Sequence, residues 1–139
     1  MRFRFLDGIV SSSLDGEGKI VTHVTFPRVE DYLATPFHRT SQVPFTIVLE
    51  AMAASGGRLI EVVSQDKVVG LLVKVDEASF ITSVSAGDRM LVHSELLGMQ
   101  DREGIKVGLA RTRSQALIGD KPVAEARIAF LCVPSKSWR

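Results

Sequence analysis

The feature that most constrains the fold is a long, almost wholly apolar segment that is predicted to form one helix. Pro44 suits a first helical turn, and from there to about residue 64 the sequence leaves almost no polar face until Arg58 and Glu61. A helix that is apolar on all sides is expected to be buried on all sides. The rest of the chain is therefore expected to surround it.

Strand patterns lie on both sides of this helix. Residues 9–14 and 19–26 predict a hairpin, because an acidic, glycine-rich turn separates two runs rich in β-branched residues. Alternation in the second run puts Ile20, Thr22, Val24 and Phe26 on one face. After the helix, turn signals divide further runs that predict antiparallel strands at 68–75, 78–85, 90–99, 105–117 and 123–133.

The order of these elements indicates the fold class. Two strands, one long helix and four or five further strands fit within 139 residues, the size of one ordinary domain. This α+β order predicts a curved antiparallel sheet of five to seven strands wrapped round one long central helix, which is the hot-dog fold. We therefore predict a single hot-dog domain over residues 1–139.

The charge balance narrows the classes of partner. With 17 basic and 16 acidic residues the net charge is +1, so no overall field favours nucleic acid or an anionic membrane. The longest apolar stretch contains Glu50 and is shorter than a bilayer span, and the first ten residues lack the pattern of a signal peptide. A cytoplasmic protein with a small-molecule or protein partner is expected.

Glu50 is the residue most in need of an explanation. It lies within Val48-Leu49-Glu50-Ala51-Met52-Ala53, where a carboxylate is costly to bury unless it is hydrogen-bonded or faces a cavity. It is either a general acid or base, or an ordinary helix residue at a subunit contact or paired with Arg39 or Arg58. The sequence alone leaves both interpretations open.

Other candidate residues lie close to the helix start. Phe45 and Thr46 carry backbone N–H groups that could polarise a carbonyl oxygen, and His38 lies in the loop before the helix. His23 and His93 fall in predicted strands. The three histidines are too scattered to suggest a metal site, and no glycine-rich phosphate loop indicates a nucleotide cofactor, so none is expected.

Three blocks of sequence resemble a known family. Phe37, Pro44 and Glu50-Ala51-Met52-Ala53 match, without gaps, a Gly-His-Phe-Pro loop that leads through Pro-Gly to a helix containing Glu-Ala-Met-Ala. Residues 75–97 resemble a strand that ends in Pro-Gly-Asp, and residues 122–130 resemble a last strand. These are features of the 3-hydroxyacyl-acyl-carrier-protein dehydratases, the FabZ/FabA-like hot-dog proteins.

The resemblance implies an activity and a set of roles. Such enzymes remove water from a 3-hydroxyacyl thioester in fatty-acid or polyketide-type metabolism: a histidine takes the C2 proton, and the helix carboxylate, here Glu50, helps the hydroxyl leave. The ungapped match puts Pro36 at the histidine position and Phe45 at the family's helix-start glycine. His38 could take the proton through a two-residue shift, which keeps the same side of an extended segment.

Three functions remain open, each with a partner chain implied by the resemblance. The first is a dehydratase with Glu50 and His38 as catalytic residues and with Pro36, Phe37, Phe45 and Thr46 against the substrate. The second is a hot-dog thioesterase using Glu50 alone. The third is an inactive acyl-binding or scaffold relative. All would bind an acyl thioester on acyl carrier protein or coenzyme A, as a homodimer or higher homo-oligomer.

Overall fold

The computed structural model of the chain describes residues 6–13, 18–26, 42–101 and 108–138. Within these ranges lie eight strands and two helices: β1 Gly8–Ser13, β2 Lys19–Thr25, β3 Gln42–Val43, α1 Phe45–Val63, β4 Val68–Phe80, β5 Val84–Ser85, β6 Arg89–Asp101, β7 Gly108–Ile118, β8 Lys121–Pro134 and α2 Ser135–Trp138. The predicted central helix and the predicted hairpin of β1 and β2 are confirmed.

Six strands form one antiparallel sheet in the order β1-β2-β6-β7-β8-β4. Helix α1 packs against β2, β4, β6, β7 and β8, so most of the sheet closes on the same helix. The short strands β3 and β5 pair separately beside the helix start. This arrangement is the predicted hot-dog fold.

The face of the sheet that meets α1 follows the predicted alternation. Ile20, Thr22, Val24 and Phe26 are all buried, while the residues between them are exposed or half-buried. The same alternation continues in β7 and β8, where Ala110, Ala116 and Ile128 belong to the core. Period-two burial therefore sorts the sheet into an inner face on the helix and an outer face.

Strand β4 corrects the sequence prediction. Residues 68–75 and 78–85 were expected to be separate strands, but Val68–Phe80 is one strand that pairs with β8 along its length. The pairing of β4 with β8 shifts register between Leu72 and Lys74 and again between Val75 and Glu77, and β4 continues as one strand through both shifts. The charged pair Asp76-Glu77 resembles a turn in sequence, yet a strand at the sheet edge can leave such side chains in solvent.

Small residues let the middle of α1 approach the sheet closely. A Cβ at Gly56 would lie 2.8 Å from Thr112 Oγ1 and 3.1 Å from the ring of Phe130. Only glycine fits here without a shift of its neighbours. Position 56 therefore sets the distance between the middle of α1 and strands β7 and β8.

The C-terminal segment is held in place. Residues 135–138 form the short helix α2 directly after β8. The Ser135 N–H donates to the Lys67 carbonyl at 3.0 Å, and its hydroxyl donates to the Asp66 carbonyl at 2.7 Å. These bonds join the tail to the turn between α1 and β4.

Candidate functional site

Glu50 is exposed, although the residues around it in α1 are buried. Val48, Ala51 and Met52 are completely buried, whereas Glu50 lies on a stripe of the helix that the sheet leaves uncovered. This stripe continues at helical spacing through Ala54, Gly57, Arg58 and Glu61. The expectation that the helix is buried all round, with Glu50 embedded, is wrong for this chain, because the sheet closes on one side of α1 only.

The uncovered stripe forms one wall of an open groove of about 380 Å³. Gly70 and Leu72 of β4 and Phe130 of β8 line it from the sheet, and Leu6 lines it from the segment before β1. Ala53, Ala54 and Gly57 present little side chain to the groove, so an extended ligand has room beside Glu50. We call this space the helix groove.

Glu50 forms no ion pair or side-chain hydrogen bond within the described part of the chain. The alternative in which Glu50 pairs with Arg58 is not observed, because the Arg58 guanidinium lies 2.6 Å from Glu61 and 3.8 Å from Asp66. Arg39, the other expected partner, lies outside the described residues. The Glu50 carboxylate is therefore available to a ligand in the helix groove.

The start of α1 lies one to two turns before Glu50. The Ile47 and Val48 N–H groups donate to the Pro44 carbonyl at 3.0 and 3.3 Å, and no side chain caps the helix. Phe45 and Thr46, predicted at the helix start, are confirmed there and are both exposed. Their backbone N–H groups lie at the positive end of the helix dipole.

An aromatic pair stands at the same helix start. The rings of Phe45 and Phe80 stack with centroids 4.7 Å apart and an interplanar angle of 26°. Phe45 nevertheless remains 44% exposed. Sequence reasoning missed Phe80, because 35 positions separate it from Phe45 (80 minus 45) and no local periodicity links β4 to the helix start.

Pro36, Phe37 and His38 lie outside the described residues, so the predicted pairing of Glu50 with His38 stays a prediction. His23 is half-buried in β2, where its carbonyl accepts from the Asp7 N–H at 2.9 Å, and His93 is exposed on the outer face of β6. Among residues 6–13, 18–26, 42–101 and 108–138, no three His, Cys, Asp or Glu side chains are grouped so as to hold a metal ion. In the same ranges no helix is long and apolar enough to cross a membrane.

A buried group of hydroxyls between α1 and the sheet was also missed. Ser55 Oγ accepts from Thr22 Oγ1 and from Ser94 Oγ, each at 2.9 Å, and Ser94 and Ser114 hydroxyls are 2.6 Å apart. All four side chains are buried. The sequence does contain a sign of this hydroxyl group. Thr22, Ser94 and Ser114 occupy inward-facing positions of β2, β6 and β7, where apolar residues are usual.

Comparison with known proteins finds similarity to 3-hydroxyacyl-[acyl-carrier-protein] dehydratases. No family model matches the chain. The 3-hydroxyacyl-[acyl-carrier-protein] dehydratase FabZ of Protochlamydia amoebophila is 26% identical over 131 residues, which cover 94% of this chain and 80% of that protein. The FabZ of Symbiobacterium thermophilum is 34% identical over 93 residues, covering 65% of this chain and 60% of that one.

Solved structures agree on the fold. The conserved protein PA5202 of Pseudomonas aeruginosa superposes with a TM-score of 0.69 at 14% identity, covering 91% of this chain and 87% of that one. The thioesterase HI1161 of Haemophilus influenzae gives a TM-score of 0.65 at 9% identity, covering 91% and 79%. The sheet wrapped on α1 and the open helix groove thus define a hot-dog protein. Its sequence is similar to the FabZ dehydratases along most of the chain.

Proposed function

We propose that this single-domain chain is a dehydratase-like protein that removes water from a 3-hydroxyacyl thioester. The observation that carries the proposal is the Glu50 carboxylate at the open helix groove, which has no ion-pair partner among the described residues. It lies on the helix that contains the Glu-Ala-Met-Ala motif. The similarity to FabZ proteins along most of the chain supports this choice of reaction.

In this proposal the thioester carbonyl and the C3 hydroxyl of the substrate contact different parts of α1. The N–H groups of Phe45 and Thr46 hold the thioester carbonyl oxygen, where negative charge develops as the C2 proton leaves. Glu50 protonates the departing C3 hydroxyl, which leaves as water. His38 takes the C2 proton, and Pro36 and Phe37 lie against the acyl chain.

A second copy of the chain completes the groove. Strand β4 is an edge of the sheet, and Leu72, Val73 and Ile81 along or just after it are exposed. Unpaired backbone groups and apolar side chains on an edge strand favour pairing with another strand. We propose a homodimer joined along β4, in which the polar loop 39–42 of one subunit approaches Glu50 of the other.

The acyl group would arrive as a thioester of acyl carrier protein or of coenzyme A. FabZ relatives are named for the carrier-protein thioester, which makes this the first substrate to test. Comparing matched substrates on the two carriers separates the alternatives, because the acyl group is the same in both.

A thioesterase is the second candidate, favoured by one observation. Glu50 faces the helix groove without a side-chain partner in the described residues, and a single carboxylate can activate water or attack a thioester carbonyl. The third candidate, an acyl-binding relative without turnover, would use the same groove for binding alone.

One assay distinguishes the three. Purified protein is given a 3-hydroxyacyl thioester on each carrier, and formation of the 2-enoyl product and release of thiol are followed by absorbance. Enoyl product supports the dehydratase, and released thiol supports the thioesterase. Binding without either product supports the inactive relative.

Three variants make the assay specific. Glu50→Gln is expected to lower the rate at least about 100-fold, the usual contribution of a general acid or base. Glu61→Gln, on the same helix stripe but paired with Arg58, should retain most of the rate. His38→Ala tests the second catalytic role. Full activity in Glu50→Gln would refute the proposed mechanism.

A further inference from the structure

The lining of the helix groove changes character along α1. Beyond Glu50, the helix first presents small apolar side chains to the groove, those of Ala53 and Ala54, and then no side chain at Gly57. Directly after them the lining becomes charged, with Arg58 and Glu61. An apolar length of groove therefore lies between the Glu50 carboxylate and a second charged region.

The sheet supplies the other wall of this apolar length. Gly70 and Leu72 of β4 and Phe130 of β8 line it, and none of these residues has a polar side chain. A Cβ at Gly57 would lie 3.9 Å from both the Gly70 carbonyl oxygen and the Phe130 ring. The missing side chain at position 57 therefore keeps the groove open between helix and sheet. We call this part of the groove the apolar stretch.

An ion pair ends the apolar stretch. The Arg58 guanidinium lies 2.6 Å from the Glu61 carboxylate and 3.8 Å from Asp66, and the Arg58 side chain is 43% exposed. Hydrocarbon that covered these groups would remove water from charges, which is costly. The pair of Arg58 and Glu61 is therefore an unfavourable surface for an apolar ligand.

The proposed function gives the direction in which a substrate lies along α1. Its thioester carbonyl is placed at the N–H groups of Phe45 and Thr46, and its C3 hydroxyl at Glu50. The carbon atoms beyond C3 then continue towards the C-terminal end of α1. They enter the apolar stretch and, if the chain is long enough, reach the ion pair.

We infer that the helix groove selects 3-hydroxyacyl thioesters of medium length, up to about twelve carbons, and that the ion pair of Arg58 and Glu61 sets this limit. The inference rests on the proposed function for the position of C3 at Glu50. It adds the class of acyl group that the groove accepts.

The limit follows from two lengths. Arg58 follows Glu50 by eight positions, so a helical rise of about 1.5 Å per residue puts it about 12 Å further along α1. Carbon–carbon bonds of about 1.5 Å at tetrahedral angles extend an acyl chain by about 1.25 Å per carbon. About nine carbons beyond C3 therefore fill the apolar stretch.

The affinity for a substrate should depend on acyl length in two phases. Each CH₂ that leaves water for the apolar stretch strengthens binding by up to about fourfold. Beyond about twelve carbons the tail either covers the ion pair or bends out into water, and neither position strengthens binding. The affinity should therefore rise with length and then stop rising.

The test is calorimetric binding of 3-hydroxyacyl-coenzyme A thioesters with acyl chains of four, eight, twelve and sixteen carbons. The full chain carrying Glu50→Gln is used, so that the substrate is bound without being consumed. The dissociation constant is expected to fall by at least about tenfold from four to twelve carbons, and not to fall further at sixteen.

Two further changes in the same background test the residues. Gly57→Leu fills the apolar stretch and should weaken binding of the twelve-carbon chain at least about tenfold, while the four-carbon chain, which ends before position 57, binds as before. Arg58→Leu with Glu61→Leu preserves the net charge and removes the ion pair, so sixteen carbons should bind more tightly than twelve. Thermal unfolding confirms that each variant is folded.

Gly98→Leu is the matched control. It makes the same exchange on β6, where a Cβ meets nothing within 4 Å, and it should keep the unmodified length profile. Affinity that rises evenly to sixteen carbons, absence of binding at every length, or an unchanged profile in the Arg58 and Glu61 double variant would overturn the inference. Because binding is measured without turnover, a two-phase profile supports the inference even if the dehydratase assay gives no product, and turnover with an even profile refutes the inference alone.

Discussion

The ring of Phe45 at the start of α1 stacks on the ring of Phe80 at the end of β4, with centroids 4.7 Å apart. This contact joins the helix start, where the thioester carbonyl is proposed to bind, to the edge strand proposed to form the dimer. Phe45, one of the two rings, stands at the position where the dehydratase pattern has a glycine. The stack therefore affects both stability and access to the helix start.

We expect the two rings to be energetically coupled. A double-mutant cycle with Phe45→Ala, Phe80→Ala and the double variant should give a coupling of about 0.5–1.5 kcal/mol in the free energy of unfolding, measured with denaturant. The substrate assay on Phe45→Ala should show faster turnover of bulky acyl groups, because the ring narrows the approach to Thr46. A coupling of zero would mean that the stack contributes nothing to stability.

Adjacent glycines of α1 should respond in opposite directions to the same substitution. Gly56→Ala forces a Cβ to 2.8 Å from Thr112 Oγ1 and should destabilise the fold by about 1–3 kcal/mol. Gly57→Ala has its nearest atoms at 3.9 Å and should stabilise by about 0.5–1 kcal/mol, because alanine loses less backbone entropy in a helix. Denaturant unfolding of both variants checks this, and equal effects would contradict the close approach at position 56.

Two substitutions of buried hydroxyl residues should also change the stability of the fold in opposite directions. Ser55→Ala removes the acceptor of Thr22 and Ser94 and should cost about 1–3 kcal/mol of stability. Thr112 Oγ1 is buried with no hydrogen-bond partner among the residues that the structure describes, so Thr112→Val should stabilise the fold by about 1 kcal/mol while keeping the side-chain shape. Thermal or denaturant unfolding measures both, and a loss of stability in Thr112→Val would indicate that this hydroxyl has a partner.

Replacing Leu72 by lysine should weaken the dimer proposed along β4. Leu72 is 47% exposed and lines the helix groove, so lysine costs the isolated chain little but introduces a charge at the edge that pairs. Light scattering should show monomer for Leu72→Lys and dimer for wild type. Ile9→Lys, 40% exposed on β1 at the other edge, should remain dimeric.

Much of the fold followed from local patterns. The apolar run after Pro44 predicted α1, and alternation in β2 predicted which side chains meet it, because helical and strand periods can be recognised within a few residues. The break expected near Asp76 was wrong, since two charged residues in sequence do not reveal that a strand lies at an edge where they reach solvent. Phe80 and the Ser55 hydroxyl contacts were missed because each depends on residues more than thirty positions apart.

The sequence by itself determined the hot-dog architecture, the position of Glu50 in the central helix and the resemblance to dehydratases, since all three depend on residue order and local periodicity. Only the tertiary structure decided that Glu50 is exposed in a groove and that Gly70 of β4 lies beside Gly57 of α1. Both depend on which side of α1 the sheet covers and on where distant strands lie. Those are set by packing of the whole chain, which no local stretch of sequence contains.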